Sequence, residues 1–336
     1  MAGEGSPPGG YARNLPTATK VSTVPSYSVI PGAEPLSIEG TGDRARVGVA
    51  IVHGFTGNPI SVKPLGEALA AEGYTVEVPR IPGHGTNWRD LAKTRWSDWI
   101  GEAERVVKSL ASRTDQVVLV GLSAGGTWLL DVASRGVVEP VGIATINALI
   151  LDRDDPIAKA SPILSKIIPV VPSPAAGIKK NDISKPGGDE KAYAYTPTKA
   201  GWSLTKELPA LRSRLKNITC PVLVIHSAQD HTVPAKNSKA LAKALGSTDV
   251  AELTLDRSFH LATLDWDADI LTAAVVSFVA RVTGTDAAAS TTPAKKAPAK
   301  KPVTKKAPAK KATATSASSK GNGAKKTAVK KSISRG

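Results

Sequence analysis

Apolar and polar positions along this chain switch repeatedly between two periods. Residues 46–53, Arg-Val-Gly-Val-Ala-Ile-Val-His, form a nearly continuous apolar run closed by Gly54. That is the pattern of a strand covered on both faces in a parallel sheet. Residues 74–78, 116–120, 141–146, 221–226 and 251–255 repeat it, each short, β-branched and bounded by turn residues. Between them the period lengthens to that of a helix. Residues 61–72 begin at Ser61, a good N-cap, and Ile100, Ala103, Val107 and Leu110 fall on one face of the next segment. Residues 127–134, 235–245 and 270–282 continue the series. Strands alternating with helices require crossover connections, so the pattern predicts an α/β domain with a mostly parallel, doubly wound sheet.

Three intervals depart from this rhythm. Residues 1–35 are rich in Gly, Pro and Ser and read as a flexible lead-in to a domain spanning about 36–285. Residues 150–217 contain no good strand, only Pro-punctuated apolar and basic stretches, and so long an insertion in a compact domain is usually a cap over a site. Within it Ile163, Leu164, Ile167, Ile168, Val170 and Val171 offer apolar surface that either lines an apolar pocket or packs the cap onto the sheet. Residues 286–336, rich in Lys, Ala and Pro, cannot bury enough surface to offset the entropy of ordering and are expected to be disordered in isolation.

Charge matters once that last segment is set apart. Of the 44 basic residues in the 336-residue chain, 13 Lys and one Arg lie after residue 286 with no acid among them, leaving 30 basic against 29 acidic residues before it. The formal charge of +15 therefore belongs to the tail, and the body is close to neutral. A single cysteine, Cys220, excludes a disulfide framework and any Cys-rich metal site. With no signal-like N-terminus and no run of about 18 apolar residues, a cytoplasmic location is the expectation.

The sharpest chemical signal is Gly121-Leu122-Ser123-Ala124-Gly125-Gly126, placed after a strand and before a helix. Small flanking residues are what a strained strand-to-helix turn needs to lift a nucleophilic hydroxyl above the sheet. A serine hydroxyl is a weak nucleophile at neutral pH and requires a base, which in turn requires an orienting acid. Asp230 and His260 supply both in the expected order, each in a loop after a later strand. Four other histidines compete for the base: His53 ends a strand, His84 lies in a Pro-Gly-His-Gly turn, His226 is within or at the end of a strand, and His231 adjoins the acid. Asp265 is the rival acid, although it follows His260 too closely and out of order. Backbone N–H groups of Ala124 and, from the loop 53–57, Phe55 are the candidate oxyanion donors.

At these residues the chain resembles the α/β-hydrolases of the bacterial carboxylesterase and monoacylglycerol lipase type. The resemblance covers about residues 46–282 and rests on His53-Gly54-Phe55-Thr56-Gly57, on Pro82-Gly83-His84-Gly85-Thr86 followed by Trp96-Ser97-Asp98-Trp99, on the turn at Ser123, on Asp230 with Val233-Pro234, and on Ser258-Phe259-His260 with Thr263-Leu264-Asp265. It implies the α/β-hydrolase fold, a Ser123–Asp230–His260 triad, Phe55 and Ala124 as oxyanion donors, and residues 150–217 as a small helical cap. Two positions depart from the family pattern: Ala124 stands where Met or Leu is common, and Phe259 replaces a usual Gly, and both changes bear on acyl-pocket shape.

The implied activity is cleavage of short- to medium-chain acyl esters or monoacylglycerol through an acyl-enzyme, with no cofactor and no metal. Acyl transfer to another alcohol by the same triad is the nearest alternative, and a polyanion-binding protein on a vestigial hydrolase scaffold is a more distant one. Lys pairs at 295–296, 300–301, 305–306 and 310–311 resemble the tails of actinobacterial histone-like proteins. They point either to non-specific contact with nucleic acid or an anionic surface, nucleoid or inner membrane, or to a merely solubilising tail.

Overall fold

A computed structural model describes residues 27–152 and 156–285. The order of elements is β1 (Leu36–Ile38), β2 (Val47–Val52), α1 (Lys63–Ala71), β3 (Thr75–Val78), α2 (Trp88–Leu91), α3 (Trp96–Ala111), β4 (Gln116–Leu122), α4 (Ala124–Ser134) and β5 (Gly142–Ile146). There follow α5 (Pro156–Ile167), β6 (Val170–Pro172), β7 (Tyr195–Pro197), α6 (Thr198–Thr205), α7 (Leu208–Arg214), β8 (Val222–Ser227), α8 (Lys236–Ala244), β9 (Val250–Leu255) and α9 (Ala268–Thr283).

Among the described residues seven strands form one sheet in the order β1-β3-β2-β4-β5-β8-β9, parallel except for β1, which pairs antiparallel with β3 at the edge. The chain steps outward from β2 to β3, then crosses back to β4 and proceeds the other way. The strand order therefore reverses between β2 and β4, and the loops leaving their carboxyl ends diverge there, which is where open α/β sheets bind ligands.

The continuous apolar runs are explained by two-sided burial. In β2, Ala50 and Val52 face the layer of α3 and α4, whereas Val47, Val49 and Ile51 face that of α1 and α9. In β4, Val117 and Leu119 join the first core and Val118, Val120 and Leu122 the second. Side chains alternate faces with period two, and both faces are dry, so every position is apolar. The helix α3 shows the other period: Trp99, Ile100, Ala103, Val106, Val107 and Leu110 are buried on one side. Its start is fixed by Asp98, whose carboxylate accepts the Arg95 backbone N–H at 2.8 Å, which accounts for one polar member of the Trp96-to-Trp99 motif.

Several details differ from the sequence expectations. Ser61 does not cap α1. It lies in a 3-10 turn, Pro59–Ser61, capped by the Asn58 side chain, and α1 starts only at Lys63 with Pro64 in its first turn. The insertion at 150–217 holds the helices α5, α6 and α7, yet it also holds the two-stranded ribbon β6–β7, too short and too rich in proline to read as strand. The end of the segment expected to be a lead-in is attached to the body: Ala33 is fully buried and the Ile30 N–H donates to Gly85 O at 2.9 Å. The basic tail expected to be disordered lies outside the described residues. Among the described helices none is long and apolar enough to cross a membrane.

Candidate active site

The turn between β4 and α4 holds Ser123, the expected nucleophile. Ser123 has φ 55° and ψ −124°, a conformation that costs a non-glycine residue about 1–3 kcal/mol and survives only when its surroundings enforce it. The surroundings do so by close approach. A Cβ at Gly125 would overlap Val52 O, one at Gly121 would overlap the backbone of Gly126, and one at Gly54 would stand 3.1 Å from Ser123 Cβ. The Ser123 N–H donates to Ile146 O at 2.8 Å, extending the β4–β5 ladder by one residue. Ser123 Oγ has no hydrogen-bond partner among the described residues, and Ser123 lines a cavity of about 350 Å³ that His260 lines as well.

His260 and Asp230 are brought together as expected. His260 Nδ1 meets Asp230 Oδ2 at 2.7 Å, with the carboxylate fully buried and the imidazole nearly so. Asp230 Oδ1 accepts the backbone N–H groups of Thr232 and Val233, both at 2.7 Å, so the carboxylate is anchored by the main chain on the side away from the imidazole. Burial lowers the basicity of His260, but the charge and hydrogen bond of Asp230, with Asp182 and Glu190 behind them, outweigh it and hold the imidazole pKa above its ordinary 6.5. Asn147, at φ 50° just past β5, ties the two loops: its Nδ2 donates to Ser227 Oγ at 3.1 Å and to His260 O at 2.8 Å, and its Oδ1 accepts Ser227 N–H.

The expected oxyanion donors lie where the loop after β2 meets the start of α4. Phe55 and Ala124 both line the cavity, and neither N–H donates to a partner among the described residues. Ala124 also opens α4, whose dipole favours negative charge at that end.

The rival residues are occupied elsewhere. His53 is fully buried, with Nδ1 at 3.0 Å from Gly54 O and Nε2 accepting the Ile81 N–H at 3.2 Å; burial pushes its pKa down to about 4. His84 stands amid aromatic rings, 5.9 Å from Phe55, 6.1 Å from Trp99 and 5.9 Å from Trp128 between centroids, and burial keeps it neutral. The Pro-Gly-His-Gly turn thus packs His84 against Phe55 of the loop 53–57. His226 points its Nε2 at Thr254 Oγ1, and His231 is bonded to Asp182. Asp265 is no partner of His260: it accepts the backbone N–H groups of Ser184, Lys185 and Phe259.

The cap's apolar residues divide. Leu164 and Val171 line the cavity, but Ile163 and Ile167 are 67% and 70% exposed and Ile168 faces partly outward. An amphipathic helix buries one stripe, so they could not all turn inward. Phe259 does not shape the pocket either; it packs edge-on against His231 with centroids 4.4 Å apart.

Sequence reasoning missed Glu190. It lines the cavity from an irregular stretch of the cap, and a Cβ on Gly57 would come within 2.7 Å of its Oε2. Burial raises its pKa to about 7, against the opposing effects of His260 and of a hydrogen bond with Ser61. Its main chain is held by Asn58 Nδ2, which donates to Glu190 O at 2.6 Å. No period or motif marks a carboxylate in such a stretch.

With this geometry in place, the likeness to known proteins is specific. The sequence profile of the family described as serine aminopeptidase, S33, matches residues 43–267. A thermostable monoacylglycerol lipase from Bacillus sp. (strain H-257) is 35% identical over 259 residues, which cover 77% of this chain and 98% of that protein. A carboxylesterase from Bacillus subtilis (strain 168) is 26% identical over 254 residues, covering 74% and 97%. A solved structure from work on LipS and LipT, two metagenome-derived lipolytic enzymes, matches with TM-score 0.70 and 34% identity over 76% of this chain and all of that one. The matched profile spans β2 to the loop after His260, and the chain belongs to this family of α/β-hydrolase enzymes.

Proposed function

We propose that Ser123, His260 and Asp230 hydrolyse carboxylic esters of short- to medium-chain acyl groups, monoacylglycerols among them, by way of an acyl-enzyme. The observation that carries this reading is the strained Ser123 on the wall of an apolar cavity that also receives a His260 paired with a buried Asp230. The neutral imidazole Nε2 removes the hydroxyl proton as Oγ attacks the ester carbonyl carbon. The resulting oxyanion is placed to accept the N–H groups of Phe55 and Ala124. The imidazolium returns the proton to the leaving alkoxide, the alcohol departs, and water enters by the same steps in reverse roles to release the acid and restore Oγ–H. Asp230 accepts the Nδ1 hydrogen and so fixes the tautomer in which Nε2 is free to act as the base.

Leu122, Leu149, Leu164, Val171, Trp202 and Leu204 give the cavity the apolar walls an acyl chain needs. Glu190 is the polar side chain set to hydrogen-bond a hydroxyl on the leaving alcohol, as a monoacylglycerol has. That substrate is the one named for the Bacillus relative that is 35% identical to this chain. Beyond the body, residues 287–336 extend the reading to non-specific contact with nucleic acid or an anionic surface in the cytoplasm, on the strength of their charge alone.

The deciding measurement uses p-nitrophenyl esters, a monoacylglycerol, an aminoacyl p-nitroanilide and a fluorophosphonate label. The wild type is expected to cleave the esters, spare the anilide and take the label. Ser123→Ala should fold normally and lose cleavage and labelling together, and Asp230→Asn should lower kcat by about three to four powers of ten. Labelling retained in Ser123→Ala overturns the nucleophile; full activity in Asp230→Asn with loss in Asp265→Asn overturns the acid.

A further inference from the structure

Residues 177–194 of the cap contain neither helix nor strand, yet they bond to the loop of Phe55 and to the loops that carry Asp230 and His260. Tyr193 N–H donates to Thr56 O at 3.1 Å and Asn58 Nδ2 to Glu190 O, which fastens this strap to the oxyanion loop. Leu261 N–H donates to Asp182 O at 3.0 Å, and Asp265 takes the N–H groups of Ser184 and Lys185 at 2.7 and 2.8 Å, which fastens it to the histidine loop. At the centre stands Asp182, whose side chain is fully buried. Its Oδ2 accepts the backbone N–H of His231 at 3.1 Å and that of His260 at 3.4 Å; its Oδ1 meets His231 Nδ1 at 2.9 Å and Lys179 Nζ at 3.2 Å.

We propose that Asp182 is a positioning residue for the proposed triad: one buried carboxylate of the cap bonds the main chains of the acid loop and the base loop at once, and so fixes the spacing between Asp230 and His260. The inference rests on the triad reading given above. A carboxylate with two oxygens accepts several donors in a fixed geometry, and here its two backbone donors belong to the residue after Asp230 and to His260 itself. Remove it and the two loops lose their shared anchor, while Asn147 still holds them from the sheet side. Its position also sets a second negative charge behind the imidazole. The charged groups facing His260 are Asp230 from the loop after β8 and Asp182 and Glu190 from the strap; Lys179, with its half-exposed ammonium, and His231 share the Asp182 carboxylate. The cap is thereby more than a cover, because the strap that closes the pocket also aligns the groups beneath it.

Two consequences separate alignment from mere support of the fold. Asp182→Asn keeps the shape but removes the charge and turns one acceptor into a donor facing other donors. It is expected to lower kcat about ten- to a hundredfold, the scale on which small misplacements act, with a smaller change in KM. It should also move the acid limb of the kcat/KM profile to lower pH, since the imidazole loses a neighbouring anion. Lys179→Met frees the same carboxylate from a competing cation and should move that limb to higher pH. Both are measured on a small neutral ester, with the thermal transition recorded for each variant. A wild-type acid limb in Asp182→Asn, or kcat unchanged, overturns the proposal; if Asp182→Asn does not fold, an unmoved limb in Lys179→Met overturns it. His260→Ala retaining activity removes the triad reading and this inference together, whereas an inactive His260→Ala beside an unperturbed Asp182→Asn removes only the inference.

Discussion

Glu190 shows at the residue scale how burial writes chemistry that spacing does not. Its ordinary pKa of 4.5 rises to about 7 because desolvation penalises its charge, so the folded protein holds the proton more tightly than the unfolded chain. A raised carboxyl pKa means stability that is fully present below the unfolded value and lost as pH climbs through the folded one. Glu190→Gln removes that loss: its thermal transition should match the wild type below about pH 4.5, rise above it progressively, and hold a constant lead beyond about pH 7. A lead that is the same at pH 4 and pH 8 would mean that the carboxyl is not titrating in this window. The same variant should lose more kcat/KM on a monoacylglycerol than on a p-nitrophenyl ester, which offers no hydroxyl to bind. Ser123, Asp230 and His260 were legible in the sequence because each follows a strand that the apolar pattern already marks. Glu190 and Asp182 were not, since an exposed loop acid and a fully buried one look alike until the cap is folded over them.

At the element scale the two-sided strands and amphipathic helices emerged from the pattern because burial dictates every position of β2 and β8 and all of β4 after Gln116. The edges were less legible. Strand β1 is three residues with one exposed side chain, and β6 and β7 pair only with each other, so neither carries a run long enough to read. The cap helix α5 illustrates the remaining ambiguity: its apolar residues, with Pro162 inside, extend beyond a single stripe, and only packing decides which of them face the cavity. That division yields a graded expectation. Leu164→Ala and Val171→Ala should enlarge the pocket and shift preference towards longer acyl chains, leaving acetate esters within about a factor of three. Ile163→Ser and Ile167→Ser, at sites 67% and 70% exposed, should leave the chain-length profile as it is. A series of p-nitrophenyl esters from acetate upward reads both, and a profile altered equally by the outward-facing pair would refute the division.

Charge is segregated at the scale of the whole molecule. The residues proposed for catalysis all lie within the family match at 43–267, in a body of 30 basic and 29 acidic residues, whereas 14 basic residues and no acid follow residue 286. Polyanion binding by such a tail would proceed by release of counterions, and six to ten phosphate contacts would then cost about three to five powers of ten in affinity between roughly 50 and 200 mM salt. The full chain should therefore bind a random DNA duplex without sequence preference and lose that binding steeply over this range. No aromatic residue lies after Phe278, so stacking cannot supply a salt-resistant component. Removing residues 287–336 leaves a net charge near zero. The shortened protein should hydrolyse small neutral esters at the wild-type rate while binding neither the duplex nor anionic vesicles. Vesicles retained at physiological salt when DNA is not would place the tail's partner at a membrane surface; equal binding by the shortened protein would locate the contact on the body and refute the separation.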